Sequence, residues 1–256
     1  YYAPSMIQMF PGTHSAIEMI LGGVLDQVGL YHKPSEEMVH KAKLWLEAVG
    51  LSTLEKQPGS VIWQVADRVR VDLFRPTEYF AYFSITSAIF SGLVVLGSGL
   101  VLLQGKSESE RLNLFRLVAA VSMIIVGVVY HALLGDGAVD PRDIGYDWPR
   151  IPNLVIHTYA PILVLADYLL SIKGPRPKWR KALWVVVYPL AWLGFSLVRG
   201  LADGWWPYWF INPGSEGGVI GMLTYILVIA GAFIALGFIV LGLRLAVTKV
   251  LGSSSE

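Results

Sequence analysis

The stretch GVIGMLTYILVIAGAFIALGFIVLGL, residues 218 to 243, contains no Asp, Glu, Lys or Arg. A helix needs about 20 apolar residues to cross roughly 30 Å of hydrocarbon, because each residue advances it by about 1.5 Å. This stretch is therefore long enough to span a membrane. Together with four earlier apolar runs it makes a set of five, at about residues 79 to 104, 112 to 134, 152 to 172, 182 to 199 and 218 to 245.

The composition of the whole chain agrees with a membrane location. Its 256 residues are 54% hydrophobic and 15% charged, whereas about a quarter of the residues in soluble domains are charged. No alternating strand pattern competes with the apolar runs. We predict an all-α polytopic membrane bundle of about five spanning helices over residues 79–248, preceded by a helical segment, 1–78, and followed by a short tail, 249–256.

Charge and cysteine content exclude several function classes. The net charge of +1 gives no electrostatic reason to expect a nucleic-acid partner. The apolar runs instead predict contact with membrane lipids. The chain has no cysteine, which excludes disulfides, thiolate nucleophiles and cysteine metal sites. His131 and His157 could in principle hold a haem, but neither has the companion histidine of a two-haem pattern. We therefore expect no metal and no cofactor.

Positive charge sets the expected orientation. The loop KGPRPKWRK, residues 173–181, carries five basic residues and no acid, which favours the cytoplasm. The C-terminus then lies in the cytoplasm and residues 1–78 lie outside. Because no export signal is visible in the first thirty residues, we expect an upstream signal or first helix. Within the outer segment, residues 58–73 predict a short helix, and Thr77 is a candidate cap for the first span.

Four polar side chains on four spans fall near the predicted outer leaflet. They are Ser84, His131, His157 and Arg199, with Ser84 and His157 each about 9 Å below the start of their spans at about 1.5 Å per residue. Buried polar groups in hydrocarbon are costly unless they are paired or hydrated, so they mark candidate sites. Asp167 lies far from this group, and we expect it to pair with a residue near the inner face.

Several of these residues have a purely structural alternative. Arg199 could cap a polar pocket as an anion clamp beneath a lid or belt of aromatic residues, Trp205, Trp206 and Tyr208, but arginines and aromatics also anchor helices at the interface. Tyr188 shares a face of the fourth span with Trp192 and Arg199, and Pro189 predicts a kink there.

Ser84 also has two interpretations. It begins a stripe with Ser87, Ser91 and Ser98 that suits close helix packing. As a nucleophile it would need an adjacent base, which His157 could supply, with His131 as a second polar group or as the base itself.

A family resemblance adds to these patterns. The runs NLVIHTYAPILVLADYLL (153 to 170), YPLAWLGFSLVRGLADGWWPYWFINPGSEGG (188 to 218) and FAYFSITSAIFSGLVVL (80 to 96) resemble an uncharacterised bacterial family of six-helix membrane proteins. That family is distantly similar to the androgen-induced-gene-type membrane hydrolases, which cleave fatty-acid esters of hydroxy fatty acids with a threonine and a histidine. The resemblance implies a bacterial inner-membrane location and matches the histidine to His157 and the nucleophile to Ser84, where serine replaces threonine.

Three functions remain open from the sequence. The first is a lipid esterase at the outer leaflet that uses Ser84 and His157. The second is a non-catalytic subunit of a larger membrane complex, docked through residues 1–78. The third is a lipid-binding or transport protein, which would use the polar pocket and the kinked fourth span.

Overall fold

The computed structural model describes residues 60–135, 142, 150–170 and 178–252. The described residues form helices and no strand, as the sequence predicts. Five helical segments are long and apolar enough to cross a membrane, and we number these spans in chain order: Phe83–Val101, Glu110–Leu134, Arg150–Leu170, Trp179–Asp203 and Gly218–Val250. Residues 1–59, the loop aspartates at 136, 140, 143 and 147, most of the basic loop and the end of the tail lie outside the described residues.

Between residue 60 and the first span, the described part of the chain forms two short helices. Helix α1, Ser60–Arg70, confirms the short helix expected at residues 58–73. Helix α2, Pro76–Tyr79, has Arg75 in the N-cap position and proline in its first turn, a position where the missing N–H costs nothing. The expectation that Thr77 caps the first span is therefore wrong, because Thr77 lies within α2.

The first span begins at Phe83, four residues later than the sequence suggests. Its helix, α3, runs over Phe83–Leu103, so Ser84 lies in the first turn. The predicted depth of about 9 Å at about 1.5 Å per residue is wrong for this serine. A first-turn position leaves its backbone N–H without a partner inside the helix.

The second span is the centre of the bundle. It contains α4, Glu110–Val129, followed by a π-helical turn, Tyr130–Leu134. Of the residues in its most apolar stretch, 56% are buried, against 17 to 28% in the other four spans. The middle of α4 carries small side chains, among them Ala119, Ala120 and Ser122, which are fully buried. Small residues let neighbouring helices approach closely in a bilayer, which explains the central position of this span.

The third and fourth spans each change helix type along their length. The third contains α5, Arg150–Leu154, a π-helical turn, Val155–Tyr159, and α6, Ala160–Leu170. The fourth begins as a 3-10 helix, Trp179–Val186, and continues as α7, Val187–Asp203. The fifth is a single helix, α8, Gly218–Gly252.

A buried charge cluster joins four spans at one end of the bundle, which we call the cluster end. Glu108 Oε1 accepts a hydrogen bond from Arg116 Nη1 at 2.6 Å and another from the hydroxyl of Ser98. Arg116 Nη2 donates to Asp167 Oδ2 at 2.7 Å and to the Asp167 carbonyl at 2.8 Å. Arg244 donates to the next carbonyl, that of Tyr168, at 2.6 Å. Asp167 is thus paired, as expected, and Arg116 is its partner, while its place near the inner face stays a prediction.

The fourth and fifth spans touch closely at one place, which we call the crossing. A Cβ atom placed on Gly237 would lie 2.9 Å from the Ala182 carbonyl and 3.0 Å from a methyl group of Val185, so only glycine fits. Nearby, the rings of Trp179 and Phe238 stack with centroids 6.2 Å apart. The fifth span therefore packs on the 3-10 segment of the fourth, and this packing does not continue closely along α7.

We expect Gly237→Ala to destabilise the protein by about 1 to 3 kcal/mol, because the added methyl group overpacks the crossing. Gly231→Ala is the matched control, since the same helix has nothing within 4 Å of a Cβ at that position. Thermal unfolding in detergent measures both variants. Equal unfolding temperatures for the two would contradict the close crossing.

We expect Arg116→Met to lower the free energy of unfolding by about 3 to 5 kcal/mol, because it leaves Glu108 and Asp167 as unpaired charges in the bundle. Arg111→Met changes an exposed arginine on the same helix and serves as the control. Unfolding curves recorded at one pH compare the two. If Arg116→Met were as stable as Arg111→Met, the charge cluster would not hold the spans together.

Candidate functional site

Two π-helical turns face each other at the end of the bundle opposite the cluster, which we call the cavity end. In the third span, Pro161 lacks the N–H that would bond to the carbonyl of His157, four residues earlier. The helix is widened to a π turn just before this proline, and such turns are frequent at functional sites. The His157 carbonyl packs against Gly127, where a Cβ would meet the oxygen at 3.0 Å.

Side chains from the two turns form a compact polar group that includes His157. The ring of Tyr130 stacks on the His157 ring with centroids 4.0 Å apart, and the Tyr130 hydroxyl accepts a hydrogen bond from Asn153 Nδ2 at 2.5 Å. The His157 Nδ1–H donates to the Asn153 carbonyl at 2.9 Å. Because a carbonyl can only accept, the neutral ring carries its lone pair on Nε2, which is the nitrogen available to act as a base.

His131 belongs to the same group of residues but has a different environment. Its Nε2 lies 3.0 Å from the hydroxyl of Thr158 on the facing turn, and the side chain is exposed. Its ring also meets the edge of the Tyr130 ring. His131 therefore supports the pairing of the two turns from outside and does not line the cavity described next.

A cavity of about 540 Å³ opens beside this polar group, a volume within the range of about 300 to 1,000 Å³ that is usual for sites of drug-sized ligands. Ser84 from the first span and His157 from the third both line it. All five spans contribute to its walls, which are mostly aliphatic and aromatic. The structure thus brings the two predicted catalytic residues to one apolar cavity.

Tyr208 is the direct polar partner of Ser84. The Ser84 backbone N–H, left without a helical partner in the first turn, donates to the Tyr208 hydroxyl at 3.3 Å, and the Ser84 side chain lies beside the same oxygen. Burial raises the pKa of Tyr208 to about 12, so its hydroxyl stays protonated and can donate. Within the part of the chain that the structure describes, no hydrogen bond joins the Ser84 hydroxyl to His157.

The segment Pro207–Ile211, which we call the cover, closes one side of the cavity. The Tyr208 ring stacks on Phe210 with centroids 5.1 Å apart, and Trp209 meets Tyr225 of the fifth span at 5.1 Å. Five consecutive residues of this segment line the cavity. Of the three aromatic residues predicted as a lid or belt, Tyr208 lines the cavity.

Trp205 and Trp206 hold the loop rather than line the cavity. Trp205 packs edge-on against Tyr82 at 5.6 Å, and the Trp206 ring covers Gly200, where a Cβ would come within 2.6 Å of it. Gly204 ends α7 with a φ of 76°, a left-handed conformation that glycine adopts without strain. These contacts turn the chain back over the bundle.

Arg199 ties this loop to helix α2, which precedes the first span. Its guanidinium donates to Asp203 Oδ2 at 3.0 Å and to the carbonyl of Thr77, and it lies 4.4 Å from the centre of the Trp205 ring. It does not line the cavity. These contacts commit Arg199 to the loop, so the geometry gives no support to its predicted use as an anion clamp.

Tyr188 packs against the first span and does not line the cavity. Its ring packs on Phe83 at 5.4 Å and stacks on Phe90 at 5.1 Å, and its hydroxyl lies 3.4 Å from that of Ser87. Trp192 continues the same face by donating from its indole nitrogen to the carbonyl of Ala81 at 2.9 Å. The predicted shared face of the fourth span therefore packs against the first.

The serine stripe of the first span divides in two. Ser87, Ser91 and Ser98 are almost completely buried between helices, as expected for close packing. Ser84 is only partly buried and borders the cavity. The packing interpretation thus suits the three later serines, and Ser84 differs from them in its surroundings.

Sequence reasoning missed Tyr130, Asn153 and Gly127, which set the position of His157. A signal for one contact was present, because Pro161 follows His157 by four residues and cannot donate the usual α-helical hydrogen bond to its carbonyl. No sequence pattern indicates the stacking of Tyr130 on His157, which depends on how two separate spans align. Among the described residues there is no group of three or more His, Asp or Glu side chains that could hold a metal ion.

Compared with protein-family models, with curated proteins and with solved structures, the chain has no match. Its likeness to the six-helix bacterial family stays a prediction that rests on the quoted motifs.

We expect Tyr208→Phe to destabilise the protein by about 1 to 3 kcal/mol, because the partly buried Ser84 N–H loses its acceptor. Tyr225→Phe is the control, since the contacts that the structure gives Tyr225 are made through its ring. Thermal unfolding in nanodiscs measures the difference. Tyr208→Phe as stable as Tyr225→Phe would show that the Ser84–Tyr208 contact contributes nothing.

Proposed function

We propose that this integral membrane protein hydrolyses a fatty-acyl ester inside the cavity, with Ser84 as the nucleophile and His157 as the base. One observation carries the proposal: Ser84 and His157, on different spans, line the same apolar cavity, and the Nδ1 contact of His157 leaves its Nε2 for the reaction. Apolar walls suit an acyl chain, and water excluded from them strengthens every polar interaction at the reacting group.

The proposed reaction has two halves. In the first, the Ser84 hydroxyl oxygen attacks the ester carbonyl and its proton passes to His157 Nε2, which then protonates the departing alcohol. In the second, His157 takes a proton from water, the resulting hydroxide attacks the acyl-serine, and the proton returns to Ser84 as the fatty acid leaves. Atoms and charges balance without any cofactor.

Tyr208 is placed to stabilise the charge that develops on the carbonyl oxygen. Its hydroxyl accepts from the Ser84 N–H and keeps its own proton to donate, because its pKa is raised to about 12. Removing one such donor in other enzymes costs about 100- to 1,000-fold in rate. In this proposal, Tyr208 replaces Arg199 as the oxyanion donor.

The Ser84 side chain must turn from Tyr208 towards His157 for the reaction to start. Catalytic hydrogen bonds are often long or absent without substrate and tighten when it binds, so the present geometry is compatible with this step. The resemblance to the threonine hydrolases gives independent support, because it matches the same two positions.

A second candidate function is lipid binding without turnover. The contact between Ser84 and Tyr208 favours it, since a serine held by tyrosine could anchor the polar end of a bound lipid. The complex-subunit hypothesis remains a prediction. Its docking segment lies mostly outside the described residues, and α1, which belongs to the described part, packs on the first and third spans.

The experiment measures release of fatty acid from a long-chain fluorogenic ester by the protein in nanodiscs. Ser84→Ala should abolish turnover and Ser84→Thr should retain part of it, while His157→Gln should lose about 100- to 10,000-fold. Ser91→Ala is the matched control for Ser84, because it lies on the same helix. His131→Gln is the control for His157, because it lies on the facing π turn.

A fluorophosphonate probe should label the wild-type protein at Ser84 and should fail to label Ser84→Ala. Full turnover by Ser84→Ala would overturn the hydrolase proposal. Saturable binding of the ester with no turnover by any variant would favour the second candidate.

A further inference from the structure

Two apolar stripes face each other across the cavity between the fourth and fifth spans. Each stripe follows the helical spacing of three, four and seven residues that keeps side chains on one face. The fourth span contributes Val186, Pro189, Leu190 and Leu193, and the fifth contributes Ile226, Ile229, Ala230 and Phe233.

These stripes line the cavity, so the two helices do not seal against each other here. The crossing at Gly237 holds the two spans together on one side of the stripes. Beyond it, the fourth span becomes α-helical and passes Pro189, and close packing with the fifth span ends. The result is a cleft with apolar walls that extends over about seven residues of helix, or about 10 Å.

The cover lines the cavity on the side of the loop that follows α7, whereas the two stripes lie on the fourth and fifth spans. Leu190 on one lip is 52% exposed, and Leu223 and Leu227 beside the other lip are 48% and 71% exposed. In a spanning bundle these surfaces face lipid tails, since large exposed apolar surfaces are the bilayer contact.

We propose that this cleft is a lateral portal through which the acyl chain of a bilayer ester lipid enters the cavity. The chain lies between the two stripes, and its ester reaches the polar end formed by Ser84, Tyr208 and His157. This inference rests on the proposed function for the fate of the ester, but chain binding does not require turnover. The substrate class is then a membrane-resident long-chain ester rather than a small soluble one.

The polarity of the cavity identifies the occupant. The two stripes contain no polar side chain, whereas the polar lining groups lie at the cavity end. A molecule that matches this pattern has one long apolar part and one polar group at its end. A charged or compact soluble ester would leave the stripes unfilled.

The test uses Ala230→Trp, which fills the cleft from the fifth span, in a Ser84→Ala background that cannot complete the proposed reaction. Ala235→Trp is the matched control, because Ala235 is exposed on the same helix and does not line the cavity. The probe is a palmitoyl ester with a diazirine on its chain, incorporated into phosphatidylcholine nanodiscs. Mass spectrometry of the peptides locates the photolabel after irradiation.

We expect the label on cleft residues in the parent protein and in Ala235→Trp, and a loss of about tenfold or more in Ala230→Trp, as expected when overpacking removes a site. Equal cleft labelling in Ala230→Trp and Ala235→Trp would overturn the portal. Labelling confined to the cover would also overturn it, because the chain would then arrive from water.

Thermal unfolding shows whether Ala230→Trp folds. If it does not, the smaller change Ala230→Leu replaces it, and we expect a partial loss of label. Turnover in the Ser84-containing protein separates the two proposals. Cleft labelling without turnover would refute hydrolysis and keep the portal. Unchanged turnover of the long-chain ester by Ala230→Trp would refute the portal and keep hydrolysis.

Discussion

The rest of the cavity end depends on the contact between Gly127 and the carbonyl of His157. Pro161 has no N–H to donate the α-helical hydrogen bond to this carbonyl, and a Cβ at position 127 would meet the oxygen at 3.0 Å. The glycine therefore lets the second and third spans approach at the level of the two π turns. That approach places Tyr130 against the His157 ring, and the ring in turn faces the cavity. A larger residue at 127 would separate the helices and misalign the histidine.

The two ends of the bundle differ in how their helices are held together. At the cluster end, short charge-assisted hydrogen bonds join the loop between the first and second spans to the second and third spans, through Glu108, Arg116 and Asp167. At the cavity end, the helices separate enough to leave an apolar space. A membrane protein gains little from apolar contact between helices, because lipid tails are equally apolar. Polar contacts at one end can therefore hold the spans while the other end stays open.

The fold class and the number of spans follow from the sequence because apolar length is a strong signal. Helix boundaries were less predictable. The first span starts at Phe83 instead of 79, since Pro76 begins a separate short helix that no hydropathy pattern distinguishes. The cost of polar groups in hydrocarbon singles out Ser84 and His157 in the sequence, and both line the cavity. Arg199 was assigned to the pocket by depth alone, and depth does not say which way a side chain turns. Tyr130 and Asn153 were missed because their roles arise only where spans align.

The order of the charged residues along the chain bears on how the protein is inserted during synthesis. Glu108 precedes Arg116 by eight residues, so the arginine enters the bilayer with a counter-charge that has already been synthesised. Asp167 arrives with the third span and completes the neutralisation. Arg244 comes last and meets a carbonyl and an aromatic face that are already in place on Tyr168. Each buried charge can therefore find its partner among segments made earlier or at nearly the same time, which avoids leaving a lone charge in the membrane.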